Sequence, residues 1–146
     1  MRISLPLESN LWNNNLRFMH ILIIEDEKGI VDFLQQGLEE EGYIISTAAN
    51  GEEGLKKAIE LSVDLVLLDW MLPKMQGIDV CKNIRLEKIN LPIIFLTAKD
   101  TVQETIEGLK AGANDYIKKP FSFEELLERI KIHFRTKDEI KILTLG

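Results

Sequence analysis

Five short apolar runs, each followed by a helical pattern, constrain this chain more than any other feature. The runs are HILII (residues 20–24), YIIST (43–47), DLVLL (64–68), PIIFL (92–96) and DYIK (115–118). β-Branched residues are common in them, and Gly, Pro, Asn and Asp flank them, which favours strands over fragments of buried helix. Between and after the runs, apolar residues return at helical spacing: Val31, Leu34 and Leu38; Leu55, Ala58 and Ile59; Ile78, Cys81 and Ile84; Val102, Ile106 and Leu109; Leu126, Leu127, Ile130 and Phe134. Asn50 three residues before Glu53, and Ser122 three before Glu125, mark helix starts. Gly42 and Gly112 stand where helix C-caps want glycine. Five alternating strands and helices predict an α/β fold, a parallel sheet with helices on both faces. Ile78, Cys81 and Ile84 are read as core, and Glu39–Glu41 as a solvated helix end.

Composition narrows the partners. A chain of 146 residues suffices for one domain with a real core, and 45% apolar with 29% charged residues is ordinary for a globular one. No apolar run approaches the ~20 residues of a membrane helix. A formal charge of -6 opposes a direct grip on nucleic acid. The lone Cys81 suits a reducing cytoplasm, and with two histidines, His20 and His133, any bound metal is expected on oxygen ligands. Residues 1–18 are asparagine-rich and read as a flexible extension without chemistry, the alternative being an arm packed through Leu11, Trp12 and Leu16.

Right-handed crossovers place the C-terminal ends of parallel strands on one edge, where such folds bind ligands. After the first strand come Glu25 and Asp26; after the third, Asp69; after the fourth, Thr97 and Ala98; after the fifth, Lys119 and Pro120. Each alone has a plain reading: Asp69 capping a turn, Glu25 and Asp26 facing a helix dipole, Lys119 in solvent, Thr97 a strand-end hydroxyl, Tyr116 packing in the core. Brought to one edge, three carboxylates repel one another unless a cation compensates, and oxygen ligands beside a phosphoryl site suit Mg²⁺.

The order Glu25-Asp26, the segment Asp69-x-x-x-Pro73-x-x-x-Gly77, the pair Thr97-Ala98 and the stretch Asp115-Tyr116-Ile117-Lys118-Lys119-Pro120-Phe121 resemble the receiver domain of bacterial two-component response regulators. The resemblance covers about residues 19–135 and implies a flavodoxin-like (βα)5 fold with strand order 2-1-3-4-5. It implies that Asp69 accepts a phosphoryl group from a sensor histidine kinase. Asp26, Asp69, the backbone carbonyl of Met71 and, directly or through water, Glu25 would hold Mg²⁺ or Mn²⁺. Lys119 would pair with the phosphate, and with Asp69 while the site is empty. Thr97, beside Ala98, would donate its hydroxyl to a phosphate oxygen, Tyr116 would be the switch aromatic, and Lys119–Pro120 a cis bond. The chain would be a regulatory phosphoacceptor rather than an enzyme in the ordinary sense. The first helix, residues 28–33, is expected to select the kinase.

The segment from Lys118 to Arg135 is similar to the OmpR/PhoB subfamily. That similarity implies phosphorylation-dependent homodimers through the fourth helix, fifth strand and fifth helix, with Ile106, Leu109, Asp115 and Arg129 on the face. Thr105, Lys110 and Asn114 stand where the subfamily usually places an arginine and acids. Residues 136–146 resemble a linker into a DNA-binding domain, so DNA contact would come from outside this chain. Met71 and Lys99, two residues after Asp69 and Thr97, offer no base, which predicts slow autodephosphorylation. Two rivals are a haloacid-dehalogenase-like phosphatase, which needs an acid where Met71 stands, and a receiver-like module that works without phosphorylation.

Overall fold

The computed structural model describes residues 18–88, 90–99 and 101–145; all of the expected extension except Phe18 lies outside them. Five strands, β1 (His20–Ile24), β2 (Ile44–Ala48), β3 (Leu65–Leu68), β4 (Ile93–Thr97) and β5 (Asp115–Lys118), alternate with five helices. These are α1 (Lys28–Glu40), α2 (Gly51–Glu60), α3 (Gly77–Glu87), α4 (Val102–Lys110) and α5 (Phe123–Leu145). The sheet is parallel throughout and ordered β2-β1-β3-β4-β5.

The core divides by strand parity, as the pleat requires. Ile21, Ile23, Leu65, Leu67, Ile94 and Leu96 meet Leu34, Leu38, Leu126, Ile130 and Phe134 of α1 and α5. The alternate residues Leu22, Ile24, Val66, Leu68, Ile93 and Phe95 meet Ala58, Val80, Cys81 and Ile84 of α2 and α3. A strand covered on both sides has no polar face, which is why these runs are continuous rather than alternating.

The caps follow local chemistry. Asn50 accepts the Glu53 N–H at 2.8 Å and Ser122 accepts the Glu125 N–H at 3.0 Å. Gly42 (φ 98°) and Gly112 (φ 114°) end α1 and α4, with Tyr43 N–H returning to Leu38 O and Ala113 N–H to Gly108 O.

The strand starts shift, and two features of the helices are added. The second, third and fourth strands begin one residue later than their apolar runs, because Tyr43 instead closes the α1 cap and Pro92 has no N–H to give a ladder. The stripe Val102, Ile106 and Leu109 on α4 is exposed (77%, 40% and 48%). Within this helix only Gly108 is buried, and a Cβ on it would lie 3.3 Å from Trp70 and 3.4 Å from Phe95. Finally, α5 runs beyond Arg135, so the segment expected as a linker is helical to Leu145.

Candidate functional site

The strand order fixes which ends are neighbours. β1 pairs with β2 on one side and β3 on the other, so the crevice opens between the C-terminal ends of β1 and β3. The site residues there also make sheet-like hydrogen bonds. Asp69 N–H donates to Ile24 O (3.0 Å), Glu25 N–H to Ala48 O (3.0 Å) and Lys119 N–H to Thr97 O (2.8 Å). These bonds place the carboxylates beside one another and bring Lys119 over them.

Glu25 and Asp69 are buried, 2% and 7% exposed, while Asp26 is exposed. One carboxylate oxygen from each of the three lies within 4.8 Å of the others. Lys119 Nζ lies 2.8 Å from Glu25 Oε1 and 3.5 Å from Asp69 Oδ1. The expected pairing with Asp69 is therefore shared, and Glu25 is the nearer partner. Burial and then the Glu25 charge push the Asp69 carboxyl up to about 7, with Lys119 opposing. Burial works against the Lys119 ammonium too, but Glu25 and Asp69 outweigh it and hold its pKa above the usual lysine range. The Lys119–Pro120 peptide bond is cis.

Thr97 is buried, and its hydroxyl oxygen accepts the Lys99 N–H at 3.1 Å. The Tyr116 hydroxyl donates to the Lys99 carbonyl. Its half-buried ring packs edge-on against Trp70 and tilted against Phe95, centroids 6.3 Å and 6.1 Å away. Met71 is 60% exposed beside the site. Ala98, Lys119 and Pro120 border a groove that continues over Ile30, Phe33 and Phe121. Farther off, Asp115 accepts Arg129 at 3.0 Å and lies 3.0 Å from His133 Nε2, so its carboxylate is engaged within its own chain.

Two features escaped sequence reasoning. Trp70, directly after Asp69, joins Phe95 and Tyr116 in an aromatic wall. Thr101 and Glu104 form a reciprocal capping box at the start of α4. Here a signal existed, since Thr-x-x-Glu is the capping-box pattern, whereas the tryptophan's partners depend on tertiary placement.

A family profile described as "Response regulator receiver domain" matches residues 21–131. The chain belongs to that family. This receiver domain is 48% identical over 118 residues to the alkaline phosphatase synthesis transcriptional regulatory protein PhoP of Bacillus subtilis, covering 81% of the chain and 49% of PhoP. It is 42% identical over 126 residues to the response regulator ArlR of Staphylococcus aureus, covering 86% and 57%. The chain thus spans about half the length of these curated relatives. Among solved structures, a CheY-like receiver domain protein from Methanospirillum hungatei superimposes with a TM-score of 0.81 at 32% identity, covering 84% of this chain and 98% of that one. The response regulator TrrA of Thermotoga maritima, solved in complex with Mg(2+)-BeF, gives 0.73 at 40% identity, covering 80% and 99%. Among the described residues, no helix is long and apolar enough to cross a membrane.

Proposed function

We propose that Asp69 is the phosphoacceptor of a Mg²⁺-dependent switch. The observation that carries this is the buried Asp69, flanked by Glu25 and Asp26 and faced by Lys119, at the β1/β3 crevice. In the transfer, an Asp69 carboxylate oxygen bonds to the phosphorus of a phosphohistidine on the kinase, the phosphorus–nitrogen bond breaks, and the imidazole leaves with its electron pair. Buried Asp69 is poorly solvated, so little water must be shed before attack, and Lys119 offers a positive charge to the phosphoryl oxygens. Thr97 would donate its hydroxyl to one of those oxygens and Tyr116 would respond to its movement.

Three carboxylates facing one ammonium is a donor set deficient in positive charge, and its hard oxygen ligands fit Mg²⁺ or Mn²⁺. Glu25, Asp26, Asp69 and the Met71 carbonyl would hold the ion, which when bound neutralises charge on the phosphoryl oxygens. Because protons compete for Asp69, Mg²⁺ affinity is expected to fall as pH drops from 8 through 7 towards 5, measured by fluorescence of nearby Trp70. An affinity that does not change across that range would contradict this assignment.

Relatives about twice as long as the matched segment, among them PhoP, named as a transcriptional regulatory protein, support reading this domain as the input half of a DNA-binding regulator. The groove over Ile30, Phe33 and Phe121 beside Lys119 is the proposed seat of the sensor histidine kinase. The exposed Ile106 and Leu109 are the proposed apolar centre of a phosphorylation-dependent homodimer, with Asp115 and Arg129 at its rim. A cytoplasmic location follows from this role.

The test is incubation with acetyl phosphate and Mg²⁺ followed by intact-mass analysis. One stable phosphoryl adduct is expected, with a lifetime well beyond seconds because neither Met71 nor Lys99 supplies a base. Decay within seconds would overturn the slow-hydrolysis prediction. Rapid turnover of donor without an adduct would instead favour a phosphatase, and no reaction at all would favour a phosphorylation-independent module.

A further inference from the structure

Lys99 touches three separate parts of the molecule. Its N–H donates to Thr97 Oγ1 at 3.1 Å, its carbonyl accepts the Tyr116 hydroxyl, and its ammonium lies 3.1 Å from Glu104 Oε2. Glu104 in turn closes the α4 capping box. Its other oxygen, Oε1, accepts the Thr101 N–H (3.3 Å) and the Thr101 hydroxyl (2.9 Å), while its own N–H donates to Thr101 Oγ1 (3.1 Å). One carboxylate therefore holds the first turn of α4 with one oxygen and the lysine beside the site hydroxyl with the other.

The two halves of this arrangement respond differently to motion. The capping box is local to the start of α4 and moves with it as a unit. The Lys99–Glu104 pair bridges the helix to the loop after β4, so any inward movement of Thr97 that carries Lys99 along must stretch it. An interaction biases an equilibrium only when it differs between the two states, as this pair would if Thr97 moved inward and carried Lys99 with it.

We propose that Glu104 is a positioning residue for phosphoryl uptake: through Lys99 it holds the β4–α4 loop in its resting place and sets how often Thr97 swings towards Asp69. The proposal rests on the reading of Asp69 as phosphoacceptor. Glu104→Gln separates the two roles, because glutamine still serves at this position of a capping box but cannot form the ion pair.

The experiment measures two quantities on the full chain: the rate of adduct formation from acetyl phosphate in Mg²⁺, and amide hydrogen exchange at Lys99 without a donor. Surface ion pairs are weak even when half-buried like this one, so Glu104→Gln is expected to raise both by about two- to fivefold. In a Lys99→Gln background the Glu104→Gln effect on the rate should vanish, since the partner is already gone. A purely structural role for Glu104 would leave its effect intact in that background, which would overturn the proposal. So would an unchanged rate or an unchanged exchange. If the wild-type chain takes up no phosphoryl group, the reading of Asp69 fails by itself. The Lys99 exchange then still decides the latch: faster in Glu104→Gln upholds it, and unchanged overturns it.

Discussion

Asp69→Asn is expected to abolish phosphoryl uptake completely and, in metal-free buffer at pH 8, to make the protein more stable. The two effects have one cause. Asparagine keeps the shape of the side chain but offers no carboxylate oxygen to attack phosphorus, so no adduct forms. It also removes a buried charge that burial and Glu25 both disfavour. The folded-state pKa of Asp69, about 7, lies well above the 3.8 of a solvated aspartate. A raised folded pKa means that the folded state binds the proton more tightly. Its contribution is fully present below about pH 4 and is lost as pH rises through about 7. Above pH 7 the wild type has lost that contribution, whereas the variant has nothing to lose. A gain on the order of 1 kcal/mol, roughly 3–6 °C in melting temperature, is expected for Asp69→Asn at pH 8, shrinking towards zero near pH 4. Saturating Mg²⁺ should reverse the order at pH 8, because only the wild type retains the full ligand set. Melting curves at both pH values, with and without Mg²⁺, check this; a variant less stable than wild type in metal-free pH 8 buffer would refute it.

Gly77→Ala is expected to be severely damaging for so small a change. Gly77 opens α3, and its N–H donates to Trp70 O at 2.7 Å. A Cβ there would lie 2.1 Å from the carbonyl oxygen of Asp69 and 2.8 Å from Trp70 Cα. Both are backbone atoms, so no rotamer change relieves the overlap. Relief requires α3 to back away from the sheet or Asp69 to leave its bond with Ile24. A loss on the order of 2–4 kcal/mol is expected, read as a fall of roughly 8 °C or more in melting temperature. Phosphorylation should slow along with it, since the displaced backbone carries the acceptor. Gly29→Ala is the control. It lies in α1 with nothing within 4 Å of its would-be Cβ, and alanine there should be neutral or stabilising by about 0.5–1 kcal/mol. Equal losses in the two variants would remove the steric explanation.

Much of this was legible from residues alone, for definable reasons. Strands buried on both faces leave continuous apolar runs, and parallel crossovers gather their C-terminal ends. Together these bring Glu25, Asp26, Asp69, Thr97 and Lys119 to one edge before any side chain is placed. What stayed hidden depends on distances finer than strand order. Lys119 reaches Glu25 before Asp69, a choice of 2.8 Å against 3.5 Å that no spacing encodes. Helical periodicity found α4 but not what seats it, because the contact with Trp70 and Phe95 is made at Gly108, which no apolar pattern marks. Nor does any spacing show that Asp115 and Arg129 meet within one chain, with His133 adding a partner from the next turn of α5.

The sheet-like hydrogen bonds of Asp69, Glu25 and Lys119 have a consequence for motion. Three of the residues that form the site are fastened by their own amides to the ends of the sheet. Their backbones therefore open only when the end of the sheet opens, and their amides should exchange with solvent among the slowest in the chain. A switch of the kind proposed would act through side chains and through the β4–α4 loop. The proposed acceptor is anchored, and the segment beside it is the part left to move.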